Sequence, residues 1–283
     1  MFTLRPPVLL VTDRVYDQLY GRFRGMKMQA EASLRLFRRV KNVRIAEDAG
    51  IDVAVFAVES ASKKPYCVLF PYRYYREAGQ YTRNYPGIPA VILSGRIREL
   101  PEDMGLPAIR TDTEGDYSRM GRAAAAFVMN RKSEDGAEGE AGKILFLRDD
   151  LVSPEDWEAF KRGLAAEGYL GAPLDVRNGT DYTVPGDVAC AVLTGAAESF
   201  FSQSLSLPVI LFSWLDPALT NSMVRVVFDD SPWAQVAAAA ESAVGKRGNE
   251  SIPSRALVLK KRMPEKEFLR KIRGIVRETG GDL

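Results

Sequence analysis

Two pairs of adjacent carboxylates, Asp149-Asp150 and Asp229-Asp230, each follow a short apolar run of strand length, Ile144 to Leu147 and Val224 to Phe228. Side chains just past the carboxyl end of a parallel strand face the crevice in which open α/β sheets take their ligands, so these acids are placed to accept hydrogen bonds from hydroxyls or to hold a cation. The same positions suit helix capping, because Asp150 and Asp230 each stand just ahead of a Ser and a Pro. No third acid stands at metal-site spacing, and neither a metal nor a cofactor is expected. Trp214 comes just after the apolar run Val209 to Phe212 and fits either a pocket wall or the core. Tyr72, Tyr74, Tyr75 and Tyr81 crowd one segment, where their rings can stack on a sugar or a base or be partly buried.

The residue types that are missing exclude more than those present. Histidine is absent, which removes the commonest general base, the Ser-His and Cys-His nucleophile pairs and most zinc sites. Cys67 and Cys190 are too few for a thiolate cluster and read as buried thiols. Neither GxxxxGK[ST] nor GxGxxG occurs, so the glycine-lined phosphate cradles are lacking. An enzyme is therefore not expected. The net charge of +2 is unevenly spread, with 17 basic and 9 acidic residues in 1–100 and 13 and 24 in 101–250. No basic module with interleaved aromatics results; Arg35, Arg38, Arg39, Lys41 and Arg44 have the spacing of a solvated face, and nucleic-acid binding by this chain is not expected.

Positioning such loops requires alternating strands and helices, and that is how the 283 residues read. Val8 to Thr12 reads as a buried strand, and Val15 to Ala32 as a helix with Leu19, Phe23, Met26 and Ala30 on one stripe. Ile51 to Val58, Tyr66 to Phe70 and Ile88 to Leu93 are further runs of strand length, while Ser33 to Ala49 suits helix and strand equally. Later, Ser153-Pro-Glu-Asp starts a helix carrying Trp157, Phe160 and Leu164, which Gly168 stops. Val188 to Leu193, Val209 to Phe212, Val224 to Phe228 and Ala256 to Leu259 read as strands; a short segment near Glu198 to Leu205, Ala234 to Val244 and Pro264 to Glu278 read as helices. Asn130 to Gly142 has no periodicity and is expected to be a loop. No apolar run approaches the ~18 residues of a membrane span, and Met1 to Thr12 lacks the pattern of a secretion signal.

Three stretches resemble the type I periplasmic-binding-protein superfamily of sugar-type solute receptors and lactose- and galactose-repressor-like effector domains. The first strand, Thr12 to Tyr16 and Gly25-Met-Lys-Met-Gln-Ala look like its opening strand, binding loop and helix. Asp116-Tyr-Ser-Arg-Met-Gly121-Arg-Ala-Ala, then Gly142-Lys-Ile-Leu-Phe-Leu, then Glu158-Ala-Phe-Lys-Arg-Gly-Leu-Ala-Ala-Glu-Gly168 resemble the succession that opens its second lobe. Val224 to Asp230 with its alanine-rich helix, and Ile252 to Arg262, resemble the later crossings. The resemblance implies an α/β protein of two similar doubly wound lobes with mainly parallel sheets, joined by three crossing segments, with 1–108 plus 229–252 as one lobe and 109–228 plus 253–283 as the other. It implies a small polar ligand, sugar, polyol or nucleoside-like, lined by Asp13, Arg14, Tyr16, Glu59, Ser60, Ser94, Asp116, Tyr117, Asp149, Thr194, Trp214 and Asp229. The Arg that sugar-binding members carry three positions before the "G-F" step is Asp156 here. Hinge closure would make the chain the solute-binding component of a transport system, as a monomer or homodimer meeting membrane permease components. It would then be periplasmic or held at the cell envelope if an export signal was removed, and otherwise cytoplasmic. The alternative is the ligand-sensing domain of a repressor-like regulator.

Overall fold

The computed structural model describes residues 5–20, 22–101, 105–134, 142–177, 182–195, 198–212, 221–245 and 248–277. The chain divides into two units, Met1–Thr111 with Asp230–Ile252 and Asp112–Asp229 with Pro253–Leu283, so it passes from one to the other three times. The passages fall at 111/112, 229/230 and 252/253 instead of 108/109, 228/229 and 252/253. Residues 109–111 stay with the first unit because they belong to a strand paired in its sheet.

The first unit holds β1 (Val8–Thr12), β2 (Val40–Arg44), β3 (Cys67–Pro71), β4 (Ala90–Gly95), β5 (Ala108–Thr111) and β11 (Glu250–Ile252), ordered β2-β1-β3-β4-β5-β11 and wholly parallel. Alternate residues of each strand face opposite layers, as the two-residue period of a strand demands. Val8, Leu10, Cys67, Leu69, Val91 and Ile109 pack with α2 (Arg22–Leu36) and α8 (Pro232–Gly245). Leu9, Val11, Val68, Phe70, Ile92 and Ala108 pack with α3 (Ile51–Ala61) and α4 (Tyr75–Asn84). A sheet covered on both faces needs apolar residues on both, which is why β1 and β3 are buried throughout.

The second unit repeats the plan. It contains β6 (Lys143–Arg148), β7 (Leu174–Arg177), β8 (Val188–Leu193), β9 (Val209–Phe212), β10 (Val224–Asp229) and β12 (Arg255–Val258), ordered β7-β6-β8-β9-β10-β12. All pairs are parallel except β10 with β12. One face packs with α5 (Thr113–Glu134), α6 (Pro154–Ala166) and α9 (Lys266–Arg277), and the other with Val184, Phe200, Leu207 and Met223. Helices α5 and α6 meet backbone to backbone: a Cβ on Gly121 would stand 2.2 Å from the Phe160 carbonyl oxygen, and one on Gly163 2.1 Å from that of Ser118. Ser153 caps α6 in a reciprocal box with Asp156, and Gly168 follows its end at φ +82°.

Several expectations are corrected. Ile51 to Val58 is the helix α3, not a strand; its Ala54, Val55 and Val58 are buried while Val53 and Phe56 are exposed, a helical repeat written in β-branched residues. Segment 33–49 resolves into the end of α2, a turn with Phe37 at φ +49°, and β2. Helix α5 continues to Glu134, so 130–134 is not loop. Strands β5, β7 and β11 had no counterpart in the sequence reading.

Candidate functional site

Both sheets share one strand order. In the first unit β1 is followed in space by β2 on one side and β3 on the other; in the second, β6 is flanked by β7 and β8 in the same way. In open α/β sheets the crevice lies outside the carboxyl ends at this reversal of strand order. The two reversals are therefore at Thr12-Asp13 against Pro71-Tyr72, and at Arg148-Asp149 against Leu193-Thr194.

At the first, Asp13 is buried with 1% exposure. One carboxylate oxygen accepts the Tyr16 backbone N–H at 3.0 Å; the other accepts the Tyr74 hydroxyl at 2.6 Å and meets the Arg73 guanidinium at 2.6 Å. A buried charge is tolerated only when paired and hydrogen-bonded, and these three groups do both. Burial drives the Tyr74 phenol far above its ordinary range, reinforced by its hydrogen bond to Asp13 and that residue's charge. Tyr16 is pushed up mainly by burial and then by Asp13, and its ring tilts against Trp233 at 6.0 Å. Arg73 keeps 36% exposure, so a guanidinium oriented by a buried acid still meets solvent. Arg14, at the start of α1 (Arg14–Tyr20), is exposed beside it in sequence.

At the second reversal the Asp149 backbone N–H donates to the Thr194 hydroxyl at 3.0 Å, and the Asp149 carboxylate accepts the Leu151 N–H at 3.2 Å. Asp150 holds Arg177 through two N–H groups, at 2.9 and 2.6 Å, on the exposed surface. The helix cap after β6 falls to Ser153, not Asp150. Asp229, 1% exposed, ends β10 opposite Arg255 of β12. The two adjacent-acid pairs thus do sit at carboxyl ends of strands.

Other expected site residues go elsewhere. Glu59 and Ser60 lie in the last turn of α3, where the Lys41 ammonium, near the start of β2, donates to the Ala61 carbonyl at 2.9 Å. That is the amino end of the sheet, and Glu59 accepts the Tyr85 phenol there. They lose their crevice position because α3 runs back against the strands. Tyr117 is fully buried between Phe146 and Phe212, a core ring. Asp116, also fully buried, pairs with Arg119 and accepts the Ser254 N–H at 3.2 Å, while Arg119 donates to the Val276 carbonyl at 2.6 Å; the group ties α5 to the chain before β12 and to α9. Burial raises the Asp116 carboxyl to about 6 despite these partners. Ser94, the last but one residue of β4, donates its hydroxyl to the Ile109 carbonyl at 3.1 Å. Trp214 lies outside the described residues. Of the tyrosine cluster, Tyr81 is core against Phe70 and Tyr85, and Tyr72 and Tyr75 stack on each other at 5.8 Å.

Two residues were missed. Arg96 follows the end of β4 directly, as Asp13 follows β1, and is only 6% exposed, while Arg73 stands two residues past the end of β3 in the turn Tyr72–Tyr74. The rule that selected Asp13 selects them once the ends of β3 and β4 are fixed.

No protein-family model matches the chain, and no curated protein matches it by sequence. Solved structures do match. A transcriptional activator of the comK gene from Bacillus halodurans aligns over 98% of this chain and 99% of its own at 12% identity, with a TM-score of 0.60. A sugar-binding protein of a sugar ABC transporter from the same organism covers 90% and 98% at 14% identity and TM-score 0.53. A solute-binding protein of an ABC transporter system from Aeropyrum pernix covers 96% and 85% at 14% identity and TM-score 0.53. The chain has the type I periplasmic-binding-protein fold, shared with such solute-binding proteins and regulators. No helix among the described residues is long and apolar enough to cross a membrane.

Proposed function

We propose that this chain binds a small polar ligand, a sugar, polyol or nucleoside-like molecule, without acting on it chemically. It does so as the solute-binding component of a transport system. The observation that carries this reading is the pair of equivalent strand-order reversals, each carrying oriented polar groups: Asp13 with Arg73 and Tyr74 in one unit, Asp149 with Thr194 in the other. Such groups suit hydroxyl recognition, since an oriented guanidinium donates in a fixed fork and carboxylates accept. Asp13, Arg14, Tyr16, Asp149, Thr194, Asp229 and Arg73 are assigned to binding, with Trp214 as an aromatic cover. The two solute-binding neighbours support the reading by what they are described as handling. Closure of the units on the ligand would present permease components with a changed surface, in the cell envelope.

A second reading, the sensing domain of a repressor-like regulator, is favoured by the basic turn Lys260–Arg262 after the last strand and by the comK-activator neighbour. Both readings require a polar ligand. A thermal-shift screen against sugars, polyols and nucleosides tests it, because a ligand that binds only the folded state raises the melting temperature. A rise with one chemical class, followed by a fall in the radius of gyration on adding that ligand, supports the proposal; a flat screen at millimolar ligand overturns it. Co-purification of the ligand-loaded chain with membrane components or with operator DNA in its native host separates the two readings.

A further inference from the structure

A cavity of about 900 Å³ opens in the first unit at the amino ends of β4, β5 and β11, with Pro86, Pro89, Leu100, Pro101, Leu106 and Pro107 among its apolar lining. The residues of this unit assigned above to binding lie at the other, carboxyl end of the strands. The cavity follows from the winding of the sheet. On the face shared by Leu9, Val68 and Ile92, α3 lies over β1 and β2 and α4 over β3 and β4. The chain then leaves for the other unit after β5, so among the described residues no further helix covers β5 and β11 on that side. Ala108 packs on this face and Ile109 on the other, and the two-residue period of a strand returns Arg110 to the uncovered side.

Arg110 is the single charged side chain among the described residues lining the cavity. It is half-buried, and its Nε is shut off from water with no hydrogen-bond partner. Its guanidinium makes no ion pair or hydrogen bond with the described residues. The acid of β11, Glu250, pairs in register with Ile109 and so stands on the opposite face of the sheet. A buried donor left unsatisfied is costly, and a charge-assisted bond to it is strengthened beside apolar walls that exclude water. Proline rings and leucine side chains offer no acceptor. Asn249, also on the cavity wall, adds a second donor: its side-chain oxygen accepts the Ala108 N–H at 2.9 Å, which leaves its amide NH2 to donate. Two donors, one of them charged, thus face an apolar space.

We infer that this cavity binds a small carboxylic acid as its anion, with the carboxylate on Arg110 and Asn249 and an aromatic or branched aliphatic body against Leu100, Leu106 and the proline rings. The inference does not rest on the function proposed above, because it uses none of those residues. Isothermal titration of the full chain with 3-phenylpropionate, with its neutral amide 3-phenylpropionamide and with acetate tests it. The aryl acid is expected to bind saturably, about tenfold tighter than either comparison compound. Arg110→Gln is expected to weaken it about tenfold and to leave the melting temperature within a few degrees, because no protein group loses a partner. Arg110→Lys, which keeps the charge but not the planar fork, is expected to weaken it about threefold. Absence of saturable binding, equal binding of the aryl acid and either comparison compound, or binding undiminished in Arg110→Gln overturns the inference. So does an Arg110→Gln chain that melts many degrees lower, since a protein group would then hold the guanidinium.

Discussion

Asp13 is a carboxylate with no exposed surface to speak of, met by a phenol, a guanidinium and a backbone amide. Asp13→Ala should therefore destabilise the protein by about 2–4 kcal/mol in urea unfolding, since it leaves Tyr74 unpaired in the interior, and Tyr74→Phe by about 1 kcal/mol. Asp116 gives a pH prediction. Its carboxyl is raised by burial to about 6 in the folded protein from 3.8, so between those values the native state binds more protons than the unfolded one. Its stabilising contribution is thus full below about pH 4 and is lost as pH rises through 6, on the order of 3 kcal/mol. Asp116→Asn should flatten urea midpoints measured between pH 4 and 6. Residue roles were only partly legible. Asp13 and Asp149 follow from strand ends, a local signal, whereas Asp116 and Tyr117 follow a strand in sequence but already belong to α5, whose inward face takes them into the core.

At the scale of elements, the close approach of α5 and α6 is the feature most exposed to test. Gly163 faces backbone, not the movable end of a side chain, so Gly163→Ala must push the helices apart. A loss of about 2–3 kcal/mol is expected in urea unfolding. Ser153→Ala removes the cap of α6 and should cost about 1 kcal/mol by the same measurement. Fully buried strands such as β1, β3 and β8 were readable because both faces must be apolar. Edge strands β7 and β11 were not, since each has partly or fully exposed residues and only three or four positions. Helix α3 misled through composition: Ile51, Val53, Val55 and Val58 favour strands locally, and packing of Ala54, Val55 and Val58 on the sheet overrides that preference.

At the scale of the whole molecule, the alternation of elements and the order of three motif segments carried the fold, because a doubly wound sheet repeats one unit and each repeat reinforces the reading. The ligand was not legible in the same way: recognition depends on a few side chains at loops, and fold does not determine which molecule they take. The account stands on the groups at each sheet's strand-order reversal taking part in ligand binding. The direct measurement is calorimetric titration of the ligand found by thermal shift into the wild-type chain, Arg73→Gln and Thr194→Val. Saturable binding to the wild type is expected, with affinity about tenfold lower in each variant; Thr194→Val should melt within a few degrees of the wild type, and Arg73→Gln lower, because it takes the charged partner from the buried Asp13. Undiminished affinity in both variants would contradict the assignment of binding to the carboxyl ends of the two sheets.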